Sequence, residues 1–201
     1  MEKYNYTYDG SEGYCYPGTD VLKNKLGIRD DGALITAERE ITSIKLLMLY
    51  GMPITRVFNL DTLRKIHKII FEDIYEWAGD IRRGDFLSKG SSIFCRGQYI
   101  AENANTIMGN ILKENTLRGL SKPKFIERMA YYMGEINALH PFREGNGRTS
   151  REFFRQLSLN ANYILDFSKT EKEDLLTADI DAFNGEYERL IKILEKAVSV
   201  N

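Results

Sequence analysis

Twelve residues in the final third of the chain carry the clearest chemistry: His140-Pro141-Phe142-Arg143-Glu144-Gly145-Asn146-Gly147-Arg148-Thr149-Ser150-Arg151. The imidazole of His140 is the one nearby group whose ordinary pKa suits proton transfer at neutral pH. Pro141 stops the helix that delivers it. Gly145 and Gly147 let consecutive backbone N–H groups turn into one concavity. The positive end of the helix that follows makes that concavity an anion site. Arg148 and Arg151 are three residues apart, hence on one side of that helix. Two guanidinium groups over a glycine nest suit a polyphosphate. Glu144, a carboxylate in a loop otherwise built for anions, suits a divalent cation that bridges phosphates. The sum is a nucleotide–Mg²⁺ site beside a general base, and the reaction class is phosphoryl or nucleotidyl transfer. Gly-x-Gly alone is a weak signal. The seven fixed positions of His-x-Phe-x-x-Gly-Asn-Gly-Arg-x-x-Arg together arise by chance on the order of once per 10⁹ sites.

The elements that must hold these residues are mostly helical. Phe125, Met129, Met133, Ile136 and His140 recur at helical spacing, so a helix over 122–139 ends at His140. The next helix starts near Gly147. Upstream, Ile41, Ile44, Leu47 and Met48 make one face of a helix over 34–50, which Gly51-Met52-Pro53 ends. Asp61 caps a second helix that buries Leu63, Ile66, Ile70 and Ile74 and runs to Trp77-Ala78-Gly79. His67 lies on or beside that stripe and reads as a histidine satisfied by local hydrogen bonds rather than as a catalytic group. Further helices are expected over 99–114, 170–183 and 187–198. Residues 81–95 differ: a Ser-Lys-Gly-Ser turn joins two short extended segments in a lone β-hairpin. Such a hairpin is marginal alone, so it must lean on helices or be completed by another strand. Residues 1–20 lack periodicity and read as an irregular arm, with Tyr4, Tyr6, Tyr8, Tyr14 and Tyr16 packing on the surface of the body. The fold class is all-α with one small hairpin. The chain divides into an arm over 1–33 and a helical domain over 34–201.

Composition narrows the alternatives. The chain has 201 residues, 28 Lys+Arg against 29 Asp+Glu, and 43% hydrophobic residues, the balance of a globular domain large enough to need no disulfide or metal staple. A net charge of −1 argues against general nucleic-acid binding. No run approaches the ~20 apolar residues of a membrane span, and the N-terminus has no signal-peptide core, which makes the bacterial cytosol the default compartment, with export by a signal-independent route as the alternative. Cys15 and Cys95 have no metal-ligand spacing, and two histidines make no imidazole-rich metal centre.

The motif resembles the signature of the Fic (filamentation induced by cyclic AMP) family, His-x-Phe-x-Asp/Glu-Gly-Asn-Gly-Arg-x-x-Arg, at every fixed position. The stretch from Leu63 to Arg82 is similar to the upstream family helix, and Tyr16 to Ile28 resembles the N-terminal arm of short bacterial toxin-like members. The likeness covers most of residues 15–190. It implies a Fic-type helical bundle with a β-hairpin flap and a protein adenylyltransferase that moves AMP from ATP to a Tyr, Thr or Ser hydroxyl of a target protein. It implies His140 as the base, Phe142 as the loop's anchor in the core and Glu144 as the Mg²⁺ ligand. Gly145, Asn146 and Gly147 become the anion nest, with Arg148 at the β-phosphate and Arg151 at the γ-phosphate. The flap, Ser88-Lys89-Gly90-Ser91-Ser92-Ile93, would bind the target by strand addition. A family branch with lysine in place of the second glycine acts as a kinase, so Gly147 favours nucleotidyl transfer. Thr36 and Glu40 match the spacing of the family's inhibitory helix, but Ile41 follows where Gly or Asn is usual. The preferred expectation is therefore inhibition by a separate small antitoxin. Rival readings are a relative that uses UTP or GTP, and a non-catalytic module that holds nucleotide and protein. An intact His140 argues against the second, because a pure binder needs no base. The target, the modified residue and the oligomeric state are not written in the sequence.

Overall fold

A computed structural model of the chain describes residues 6–8, 11–84, 86–90 and 92–201. Ser91 of the expected flap and Tyr4 of the arm lie outside the described residues. In order, the elements are β1 (Tyr6–Tyr8), α1 (Ser11–Tyr14), α2 (Asp31–Tyr50), α3 (Leu60–Phe71), β2 (Leu87–Lys89), β3 (Ser92–Ile93), α4 (Ile100–Lys113), α5 (Lys122–Leu139), α6 (Asn146–Asn160), β4 (Tyr163–Leu165), α7 (Lys172–Phe183), α8 (Glu188–Ala197) and β5 (Val198–Val200).

Helix α5 is the axis. It packs against α4, α6, α7 and α8, and its Phe125, Met129, Ala130 and Tyr132 are fully buried. Pro123 in its first turn costs no backbone bond, because the leading N–H groups of a helix are unpaired anyway. Leu63, Ile66 and Ile70 of α3 and Phe153, Phe154 and Leu157 of α6 complete the core. Burial on the scale of these aromatic and aliphatic side chains contributes roughly 1.5–3 kcal/mol each, which is what holds the loop between α5 and α6 in place.

Several expectations are corrected. The cap of α3 is Asn59, whose Oδ1 accepts from Thr62 N–H at 2.9 Å, while Asp61 sits in the first turn, where its charge suits the helix dipole. The helix ends at Phe71, and turns carry the chain on to Gly79. The stripe Ile44, Leu47 and Met48 on α2 is the exposed side, at 60, 68 and 56%; the buried residues are Leu34, Thr42 and Leu49. Helical spacing marked a face correctly, but α2 is apolar on more than one side, so spacing alone could not say which side turns inward. Not all of the arm's tyrosines stay on the surface of the body: Tyr14 is 4% exposed. Tyr14, Cys15, Val21 and Leu22 belong to the main core. Strand β1 pairs antiparallel with β2, Tyr6 opposite Lys89 and Tyr8 opposite Leu87. The hairpin β2–β3 thus becomes a three-stranded sheet in the order β1-β2-β3. A second small ladder, β4 with β5, ties the C-terminal strand to the end of α6. Among the described residues no helix is long and apolar enough to cross a membrane.

Candidate active site

The loop between α5 and α6 is pinned from three sides. His140 closes α5 in the left-handed region at φ 43°, ψ 62°, with its N–H on Ile136 O at 3.2 Å. Its carbonyl accepts from Arg82 Nε at 2.9 Å, and Arg82 N–H donates to Pro141 O at 2.8 Å. Asn146 clasps Phe142: Oδ1 accepts its N–H at 2.9 Å and Nδ2 donates to its carbonyl at 2.8 Å. The side chain of Asn146 is therefore spent on the loop itself, and what it offers an anion is its backbone. Phe142 is buried and stacked on His67, ring centres 3.9 Å apart.

His67 is held between Phe142 and Phe71, and its hydrogen bonds are long-range rather than local. Gly79 N–H donates to Nδ1 at 2.8 Å, so Nδ1 is the bare nitrogen and Nε2 carries the proton. Nε2–H then donates to Glu144 O at 3.0 Å. Burial pushes the pKa of His67 down to about 4, which keeps it in this neutral form.

Gly145 caps α6 at φ 83°. A Cβ there would stand 2.2 Å from Phe71 Cζ, inside a buried ring, so only glycine fits. Glu144 turns one carboxylate oxygen onto Gly145 N–H at 2.8 Å and lies 3.6 Å from Arg148.

Beside this loop lies a cavity of about 410 Å³, a size in the range of small-molecule sites. His140, Glu144, Gly145, Gly147, Arg148 and Arg151 line one side, with Lys89 and Gly90 of the hairpin, and Asp179 and Phe183 of α7, opposite. The ring of His140 is stacked on Phe94, centres 3.8 Å apart. Burial, with smaller contributions from Arg82 and Lys89, holds its pKa down to about 3 against a hydrogen bond to the Asn137 backbone. The imidazole is thus neutral at physiological pH. Burial lowers the pKa of Arg151 while the charge of Asp179 supports it. The carboxyl of Asp179 is pushed up to about 6 by the same burial.

A family model for the Fic/DOC family matches residues 57–158. A probable protein adenylyltransferase Fic of Escherichia coli K12 is 39% identical over 191 residues, which cover 95% of this chain and 94% of that protein. The chain belongs to the Fic/DOC family. The protein adenylyltransferase VbhT of Bartonella schoenbuchensis is 40% identical over 190 residues, 94% of this chain but 40% of that longer protein. The BepC effector of Bartonella tribocorum, solved with bound AMPPNP, matches at TM-score 0.91 and 28% identity over 94% of this chain and 98% of that one. A Fic domain from Bartonella quintana with bound ADP matches at TM-score 0.92 and 27% identity over 94 and 96%.

Within this Fic domain the signature residues converge on the cavity, apart from Phe142 and the Asn146 side chain, which hold the loop. Ser88 is buried and its neighbour Lys89 reaches the cavity; Ser92 lines it too, while Ile93 is 61% exposed. Thr36 and Glu40 are exposed on α2, and neither contacts Arg151 among the described residues. The acid from α2 that does meet the signature is Glu38, two positions away and so on another face of the helix. Sequence reasoning passed over Glu38, although Glu38 and Thr42, four apart, share a face. Asp179 and Phe94 gave no local signal at all.

Proposed function

We propose that this chain is a protein adenylyltransferase that transfers AMP from ATP to a Tyr, Thr or Ser hydroxyl of a target protein. The observation that carries it is a buried neutral imidazole, His140, sharing one cavity with a glycine-built helix N-terminus and two arginines. His140 removes the hydroxyl proton. The freed oxygen attacks the α-phosphorus, a P–O bond forms, and the bond to the β-phosphate oxygen breaks, releasing pyrophosphate. Arg148, Arg151 and the N–H groups around Gly147 take up the charge that develops on the leaving group.

The donor set suits Mg²⁺ held largely by phosphate. Glu144 is a single carboxylate, and no cluster of three metal-ligating side chains occurs among the described residues. When bound, the ion would neutralise phosphate charge. The target docks on the β3 edge: β1 already occupies the other side of β2, and no strand among the described residues covers β3. A separate small inhibitor is the regulatory partner, a reading supported by the exposed positions of Thr36 and Glu40.

Intact-protein mass spectrometry with Mg²⁺ and each of ATP, GTP and UTP tests the reading in the presence of lysate proteins. An AMP adduct that disappears in His140→Ala supports it. An adduct from GTP or UTP alone moves the donor assignment, and cellular effects that survive His140→Ala overturn catalysis in favour of binding.

A further inference from the structure

Arg148 does not hang free in the cavity. Its Nη2 donates to Glu38 Oε1 at 2.6 Å and its Nη1 to Thr42 Oγ1 at 3.1 Å, so both ends of the guanidinium fork are fixed to one helix, α2. Phe71 lies under the guanidinium, 4.7 Å from its ring centre. Of the five N–H donors of an arginine, two are committed to α2, and Nη2 also lies 3.6 Å from Glu144 Oε1, which leaves Nε and the remaining N–H of Nη1 for a ligand.

Glu38 is itself held from behind. Its other carboxylate oxygen accepts the hydroxyl of Tyr75, a buried residue whose ring is stacked on Trp77 at 4.4 Å. A carboxylate side chain only 13% exposed is an expensive choice for a helix position that an apolar residue could fill. Packing alone gives no reason for it. The charge has one, since Arg148 stands in the first turns of α6, where the positive helix end repels a cation.

We infer that Glu38 is a positioning residue: it sets the guanidinium plane of Arg148, with Thr42 as second anchor and Tyr75 as backstop, so that the free edge faces a phosphate. The inference rests on the reading of Arg148 as a phosphate ligand. The opposite arrangement, in which Glu38 competes with phosphate for Arg148, predicts effects of the opposite sign.

The test is calorimetric titration of the full chain with AMPPNP and Mg²⁺, and separately with adenosine, which carries no phosphate. Glu38→Ala should weaken AMPPNP binding about 10- to 100-fold, the scale of a lost charged hydrogen bond, and leave adenosine unchanged. Glu38→Gln, which keeps an acceptor for Nη2, should fall between. Glu38→Ala combined with Arg148→Ala should bind AMPPNP as Arg148→Ala does alone, because the two act as one unit. Thermal unfolding of each variant, with Glu38→Gln as the milder change, confirms that the chain still folds. Unchanged or tighter AMPPNP binding in Glu38→Ala overturns the inference, as does an equal loss for adenosine. If Arg148→Ala binds AMPPNP as the natural chain does, the phosphate reading of Arg148 is what fails.

Discussion

His67 offers a way to separate the stability of the signature loop from its geometry. Its two ring nitrogens serve different masters: Nδ1 accepts from Gly79, and Nε2–H donates to the carbonyl of Glu144. An asparagine amide reaches about where Nδ1 sits, and a glutamine amide about where Nε2 sits. His67→Asn therefore keeps the Gly79 bond and orphans the Glu144 carbonyl, while His67→Gln does the reverse. Each leaves one buried backbone group unpaired, at about 1–3 kcal/mol. Each also loses the stack between Phe71 and Phe142, worth about 0.5–1.5 kcal/mol. At ~2–4 °C per kcal/mol for a chain of this length, both should lower Tm by about 3–18 °C. Activity should divide them. Only His67→Asn releases the Glu144–Gly145 peptide, and a displacement of about 1 Å at a site can cost 10²-fold in rate. Measured by AMP transfer per molecule of folded protein, His67→Asn should fall at least tenfold while His67→Gln stays within about threefold. Parallel losses in the two variants would refute the claim that His67 acts through Glu144.

Three further outcomes are expected. Gly145→Ala places a methyl inside the Phe71 ring at a positive φ, and should cost about 2–5 kcal/mol in denaturant unfolding along with transfer activity. Stability should fall as pH drops from about 6.5 to 4. His67 and His140 are depressed to about 4 and 3, so in that window the unfolded chain binds two protons that the folded chain refuses. Asp179, raised to about 6, binds one in the folded chain below that pH and partly offsets them. One proton net gives a slope of about 1.4 kcal/mol per pH unit, stability rising with pH, and a flat profile by calorimetry would contradict it. Ile93→Pro removes an edge N–H from β3 and should reduce modification of a target while leaving AMPPNP affinity as it was.

How much of this was legible in the sequence follows from how local each cause is. The α5–α6 loop was readable because a helix end, a proline and two glycines are neighbours in the chain, and their geometry is dictated by residues within a few positions. The helix over 122–139 was readable because one side of it is buried along its whole length. Strand β1 was not, since three residues of tyrosine and threonine acquire their shape from β2, some 80 residues away. The same holds for Asp179, whose carboxyl is pushed up to about 6 by burial against residues distant in sequence.

The case of α2 shows what such distance does to a functional reading. Two of the three acids on that helix, Glu38 and Glu40, lie two positions apart, and the spacing rule for an inhibitory helix selected Glu40, which faces solvent. A helix turns 100° per residue, so Glu38 lies about 200° round from Glu40. It is the one that meets the arginine of α6, and it does so through a contact 110 residues long in sequence. That face also carries the buried Leu34 and Leu49: with Glu38, Thr42 and Lys45 beside them, Lys45 paired at 2.8 Å with Asp73 just past the end of α3, Ile44, Leu47 and Met48 take the far side. The polar residues of α2 thus share the setting of its rotation with Leu34 and Leu49. Removing Glu38 should therefore loosen the register of α2 against α6, and hydrogen exchange around residues 38–42 should accelerate in Glu38→Ala more than in Glu40→Ala.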